Sequence, residues 1–169
     1  MNSDTIALFF FLAVAIAFST YFLIMTLVQQ HLSKSILKKF PSEQLQHSSI
    51  RYSQTSDSLA IREGLGFPVK ADMYYKENLI IICPKKNGLF TSLFTINLPI
   101  IITTDKANIE KLINSHNVFL PDNIKFTRWN DLIINYHDWL FTKIKYELTI
   151  EFLNKAEIPN LPSFKTTSS

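Results

Sequence analysis

Charge is missing where the chain begins. From Thr5 to Ser33 there is no Asp, Glu, Lys or Arg, so no solvated face can be drawn on that stretch. Its centre, Ile6 to Val28, reads IALFFFLAVAIAFSTYFLIMTLV. As a helix it would be about 35 Å long, enough to cross a ~30 Å hydrocarbon layer with some tilt. Cysteine is nearly absent: Cys83 stands alone, which excludes an intrachain disulfide. Glycine is scarce too, with 3 in 169 residues, which leaves little material for a phosphate-cradling loop. Gly64-Leu65-Gly66 lacks the further glycine and the lysine that such a loop needs. No Asn-x-Ser/Thr acceptor for glycosylation occurs anywhere.

The apolar run has three competing readings. A signal peptide begins with basic residues, has a shorter apolar stretch and ends on a small-x-small cleavage site. Here the start is Met-Asn-Ser-Asp, and the small residues Ala13, Ala15 and Ala17 lie in the middle of the run. A core helix would need a polar face, which this one lacks. A retained transmembrane anchor is therefore expected. Lys34, Lys38 and Lys39 follow the run and no basic residue precedes it. Basic flanks stay on the cytoplasmic side, which places the amino terminus outside and the remainder in the cytoplasm.

From Gln29 to Phe40 the helix can continue. Leu32, Ile36 and Phe40 fall on one stripe and the three lysines fall off it. Such a segment either lies in the headgroup layer with its lysines toward anionic lipid or simply flanks the span. Pro41 is expected to end it, and the Ser- and Gln-rich stretch that follows reads as a linker, with one helical turn around Glu43 to Gln46. The chain is thus divided into an anchor (1–28), a basic juxtamembrane segment and linker (29–58), a β-rich domain (59–158) and a disordered tail (159–169).

The clearest strand signal is Lys143 to Leu153. Ile144, Tyr146, Leu148, Ile150 and Phe152 alternate with Lys145, Glu147, Thr149 and Glu151. That period of two gives one dry and one wet face. Val69 to Lys76 alternates similarly. The turn Lys76-Glu77-Asn78 joins it to Leu79 to Cys83, a continuous apolar run suited to a strand buried on both sides, so the two form a hairpin. Lys85-Lys86-Asn87-Gly88 has turn chemistry. Ile96 to Ile102 is a further strand, and Pro99 places it at an edge or a bulge. Asp105 to Ser115 is a helix with Asp105 as cap. Val118 to Leu120, Ile124 to Trp129 and Leu132 to His137 are strands, with Pro121-Asp122-Asn123 and Asn130-Asp131 as turns. The sum is six or seven strands and one short helix, a mainly-β (α+β) domain. An antiparallel sheet, a sandwich or a partly open barrel is expected, rather than a βαβ architecture.

A membrane anchor followed by consecutive short strands, with Trp129-Asn130-Asp131-Leu132-Ile133 entering a strand, resembles bacterial pleckstrin-homology-like domains of small membrane proteins. The resemblance covers about residues 67 to 153. It implies a partly open barrel, a bacterial inner membrane and a lipid- or protein-binding module that is not an enzyme. The chain departs from that pattern in having no amphipathic helix after Leu153, so another small β-sheet remains an alternative.

Motifs for chemistry are scarce. His31, His47, His116 and His137 have no metal-ligand spacing, and no metal or cofactor is expected. Cys83, inside an apolar run, reads as a small buried residue. Glu147 and Glu151 share a strand face with Lys145 and read as mixed surface. Asp131, His137 and Asp138 would serve an enzyme only if they converged in a pocket. From Pro41 onward 14 Lys and Arg face 13 Asp and Glu, so no basic field for nucleic acid exists. Lys85, Lys86, Leu89 and Phe90, together with Lys34, Lys38 and Lys39, are the candidate contacts with the bilayer or a protein partner. The function expected is a membrane-tethered interaction module, with a small subunit of a membrane or envelope complex as the alternative.

Overall fold

The computed structural model describes residues 3–40, 44–57, 68–85, 98–113, 117–139 and 143–154. The tail, Lys86 to Asn97 and the Gly64–Gly66 pair lie outside them. The elements are α1 (Ser3–Leu37), β1 (Gln46–Ser56), β2 (Val69–Lys76), β3 (Leu79–Pro84), β4 (Ile100–Thr103), α2 (Lys106–Ile113), β5 (Val118–Phe119), β6 (Pro121–Phe126), β7 (Leu132–Trp139) and β8 (Lys143–Phe152).

α1 is a single helix of 35 residues. Along its apolar run no other described element covers it, and Phe11 is 71 % exposed. One helix of the described residues is long and apolar enough to cross a membrane. The hydroxyls of Ser19 and Thr20 donate to Ala15 O and Ile16 O, each at 2.8 Å, so these polar groups are satisfied within the helix.

The eight strands form one sheet in the order β5-β4-β3-β2-β1-β8-β7-β6. Its two terminal strands, β5 and β6, are separated in the chain by Leu120 alone. The sheet must therefore roll up until its ends meet, and the Phe119 and Tyr136 rings touch across that seam with centroids 4.6 Å apart. With β5 and β6 counted as one interrupted strand, the ring has seven positions. An odd ring cannot be antiparallel throughout. Six junctions are antiparallel and one, β4 with β5, is parallel. A parallel pair needs a crossover, and α2 supplies it. The expected exclusion of a βαβ connection is thus corrected at this one junction.

The barrel interior follows the alternation in the sequence. β8 buries Ile144, Tyr146, Leu148, Ile150 and Phe152 and exposes the residues between them. β1 contributes Ser48, Ile50 and Tyr52, β2 contributes Val69, Ala71, Met73 and Tyr75, and β7 contributes Leu132, Ile134 and Tyr136. Tyr136 stacks on Tyr146 with ring centroids 5.3 Å apart.

A second core lies outside the barrel. Leu79, Ile81, Cys83, Ile101 and Val118 point outward from β3, β4 and β5, where Ile36 of α1 and Ile113 of α2 cover them. Leu37, Phe40, Leu45 and Ile109 complete the layer. This is why β3 is buried at every position.

Several expectations are corrected. The supposed linker is largely β1, paired with β2 on one side and β8 on the other. Its polar face looks outward, and only Ile50 and Tyr52 carry the apolar alternation. Of the helical turn expected at Glu43 to Gln46, Glu43 lies outside the described residues, Gln44 is in 3-10 conformation and Gln46 already begins the strand. Pro99 precedes β4, where its missing N–H breaks no ladder, and β4 lies inside the sheet and not at an edge. The expected turn at Pro121 to Asn123 is the start of β6, with a bulge that takes up Asp122. β6 pairs only with β7 among the described residues, so the barrel is nearly and not wholly closed. Pro121, the bulge and the exposed Lys125 blunt that free edge. The next hairpin turns through Thr127 to Asp131. Asn130 takes φ 67°, a left-handed value that asparagine tolerates.

Leu148→Ala should lower stability by about 2–5 kcal/mol, because it empties a fully enclosed position, whereas Glu147→Ala should stay within ~0.5 kcal/mol. Urea unfolding of the full chain in detergent micelles, followed by Trp and Tyr fluorescence, separates the two.

Candidate functional site

The candidate contacts converge where α1 leaves its apolar run and meets the barrel. Gln29, the residue after that run, donates from Nε2 to Pro84 O at 3.3 Å, the end of β3. One turn on, the Ser33 hydroxyl lies beside the Cys83 thiol. Ile36, Leu37 and Phe40 enter the outer core. Lys39 Nζ donates to Leu112 O in the last turn of α2 at 2.8 Å, a favourable place for a cation. Beyond Phe40 the chain reaches Gln44, whose Oε1 accepts from Lys76 Nζ at 3.1 Å. Lys76 stands at the other end of the β2–β3 hairpin from Pro84. α1 and its continuation therefore run along the outside of the barrel, from the Pro84 end of β3 to the Lys76 end.

The stripe Leu32, Ile36 and Phe40 is thus divided. Ile36 and Phe40 pack on the protein and not on lipid, while Leu32 stays exposed. Of the candidate lysines, Lys34 and Lys38 are exposed and form no ion pair among the described residues. Lys39 is occupied by α2 and Lys85 by Asp72, at 2.7 Å. Lys86, Leu89 and Phe90 lie outside the described residues.

Asp72 organises the outer face beside Lys85. Its Oδ1 receives Lys85 Nζ, lies 2.8 Å from His47 Nε2 and 3.4 Å from Ser49 Oγ. The His47 ring leans on Tyr74 with centroids 5.1 Å apart. Partial burial works to raise the Asp72 pKa, but the hydrogen bonds and charges of Lys85 and His47 overcome it and hold the carboxyl below its ordinary 3.8. A Ser, a His and an Asp meet here, yet the carboxylate is the centre and the serine does not face the imidazole. A nucleophilic relay needs the histidine between the other two. The cluster is a charge clamp across β1, β2 and the end of β3.

Next to it, Lys70 and Arg51 stand directly opposite one another on β2 and β1. Lys85 N donates to Lys70 O at 2.8 Å, so Lys85, Lys70 and Arg51 form one outward row across three strands. Among the described residues Arg51 has one distant partner, Glu151 at 4.0 Å, and like charges side by side on a sheet are unfavourable without a counter-anion. Beyond Arg51 lies an open cleft of about 390 Å³ lined by Ser53, Pro68, Thr149 and Trp129 among others. Trp129 is 72 % exposed, with the Arg128 guanidinium 5.3 Å from its ring centre.

The residues considered for an enzyme do not gather. His137 pairs with Asp122 of β6 on the outer surface, and Asp138 follows it on the opposite face of β7. Asp131 lies at the hairpin beyond the other end of β7, on the rim of the cleft, about 20 Å along the strand from His137. Among the described residues no group of three His, Cys, Asp or Glu side chains could hold a metal ion. Cys83 is buried, and burial first, with the Asp72 charge adding and the Ser33 hydroxyl opposing, pushes its thiol up to about 11. A thiol so placed is inert. Sequence reasoning missed Asp72, Lys70 and Arg51, whose association depends on β1 being a strand.

A carboxyl held below its ordinary value in the folded chain contributes stability that is full above that value and disappears as pH falls through the depressed one. Unfolding midpoints should therefore decline below about pH 4, and Asp72→Asn should flatten that decline while lowering the midpoint at pH 7. Denaturant titrations of both chains across pH 3–7 check the sign.

No family model, no curated protein and no solved structure matches the chain.

Proposed function

We propose that the protein is a membrane-anchored, non-catalytic interaction module, which carries a small β-barrel at the bilayer surface to bind lipid headgroups or a protein partner. The observation that carries this reading is the division of α1. Its apolar run is covered by nothing among the described residues, while its last turns are part of the barrel's outer core. An uncovered helix of that length calls for lipid. The free ammonium groups of Lys34 and Lys38 fit the headgroup side of an anionic leaflet, where each is worth ~1 kcal/mol. The same lysines favour a cytoplasmic barrel and an external amino terminus, as on a bacterial inner membrane.

The pleckstrin-homology-like resemblance supports a binding role: strands arranged as a nearly closed ring of seven positions suit it, while the parallel β4–β5 junction is a feature of this chain. Confinement at the bilayer raises the effective concentration of the barrel for any surface ligand, so modest contacts suffice.

After carbonate washing, the intact chain should remain with the membrane pellet. Protease added to inverted vesicles, and not to intact cells, should digest the barrel. A soluble product beginning after Ala17 would contradict the anchor, and digestion in intact cells would reverse the orientation.

A further inference from the structure

Docking of α1 on the barrel also decides which end of the barrel meets the membrane. The apolar run ends at Val28, and the next residue, Gln29, is hydrogen-bonded to Pro84 O. Ser33 is level with Cys83. By Gln44 the chain has reached Lys76, at the opposite end of the β2–β3 hairpin. Helix and β3 thus run side by side in opposite directions. From Pro84 back to Leu79, β3 recedes by about 17 Å. The Pro84 end is consequently level with the place where the helix emerges from hydrocarbon, and the Glu77-Asn78 turn is the far pole.

The near end also has the charge for that position. Lys85, Lys70 and Arg51 occupy neighbouring strands in one outward row, and Lys70 has no anionic partner among the described residues. Adjacent cations on a sheet repel unless an anion lies over them. Asp72 lies on Lys85 and Glu151 stands across from Arg51, so Lys70 is the cation of the row with no anion beside it among the described residues. At the far pole, Lys76, Glu77, Asp105 and Lys106 mix both signs.

We propose that the barrel rests its Pro84–Lys85 end on the headgroup layer of an anionic leaflet, with Lys70 and Arg51 turned toward lipid phosphate beside the Lys85–Asp72 pair. This rests on the membrane reading above and adds the face. The occupant is the bilayer that the chain's own helix enters, which brings the row to the headgroups without any diffusional search.

The test uses the full chain with Cys83→Ser, carrying either Lys85→Cys or Glu77→Cys, each labelled with a fluorophore. Lys70→Cys provides a second near-end position if loss of the Lys85–Asp72 pair prevents folding. The chains are reconstituted into phosphatidylcholine vesicles, with and without phosphatidylglycerol, containing lipid with a nitroxide on its headgroup. Quenching at position 85 or 70 should exceed that at 77 several-fold and increase when phosphatidylglycerol is present. Equal or reversed quenching in chains that float with the vesicles would overturn the proposed face and leave the anchor intact. Near-end quenching indifferent to phosphatidylglycerol would overturn the pairing with anionic lipid. Chains that fail to float would overturn the anchor, and this inference with it.

Discussion

The packing of the last turns of α1 on the outside of β3, β4 and β5 is the contact on which the rest of the structure depends. β3 and β4 are apolar on both faces. Ile80, Ile82, Ile100 and Ile102 fill the barrel, and Leu79, Ile81, Cys83 and Ile101 point away from it. Without Ile36, Leu37 and Phe40 over them, the outer set would face water. Enclosing a side chain such as Ile36 is worth about 1.5–3 kcal/mol. The helix end is therefore a component of the domain and more than a tether. The apolar run and the barrel share one continuous helix, and the direction of the first constrains the second.

Topology follows from a similar economy of causes. Seven positions around a ring force one parallel junction, and the chain places it where the crossover helix α2 can also help to close the outer core through Ile109 and Ile113. The Thr103 hydroxyl fixes that corner. It donates to Asn78 O at 2.9 Å and accepts from Asp105 N at 3.1 Å, which binds the β2–β3 turn to the start of α2. The opposite end of β3 is left for Gln29 and the clamp around Asp72. Each pole of the barrel thus has its own set of contacts.

Much of this was legible in the residues. The span from Ile6 to Val28, the β2–β3 hairpin, the alternating β8 and the short helix α2 all have local signals that tertiary context does not reverse. The continuous apolar run of β3 already required cover on both faces, although nothing local named α1 as the cover. β1 escaped because its inward positions include Ser48, buried and polar, and its outward positions are His, Ser, Arg and Thr. Such a composition reads as linker until β2 and β8 supply partners on either side. The start of β6 escaped because Pro121-Asp122-Asn123 has turn chemistry, which the fold uses for a bulge. The site shared this fate. Lys34 and Lys38 could be found from flanking charge alone, but the row of Lys85, Lys70 and Arg51 exists only through strand register.

Cys83 reports on the central contact most directly, since the thiol lies under the end of α1 and nowhere else does the chain carry one. The measurement is the rate of alkylation of Cys83 by a maleimide in the membrane-bound chain at pH 8, compared between the native sequence and Ile36→Asp. A docked helix predicts near-complete protection in the native chain and rapid labelling in the variant while the barrel remains folded. Rapid labelling of the native chain with its barrel intact would contradict the account.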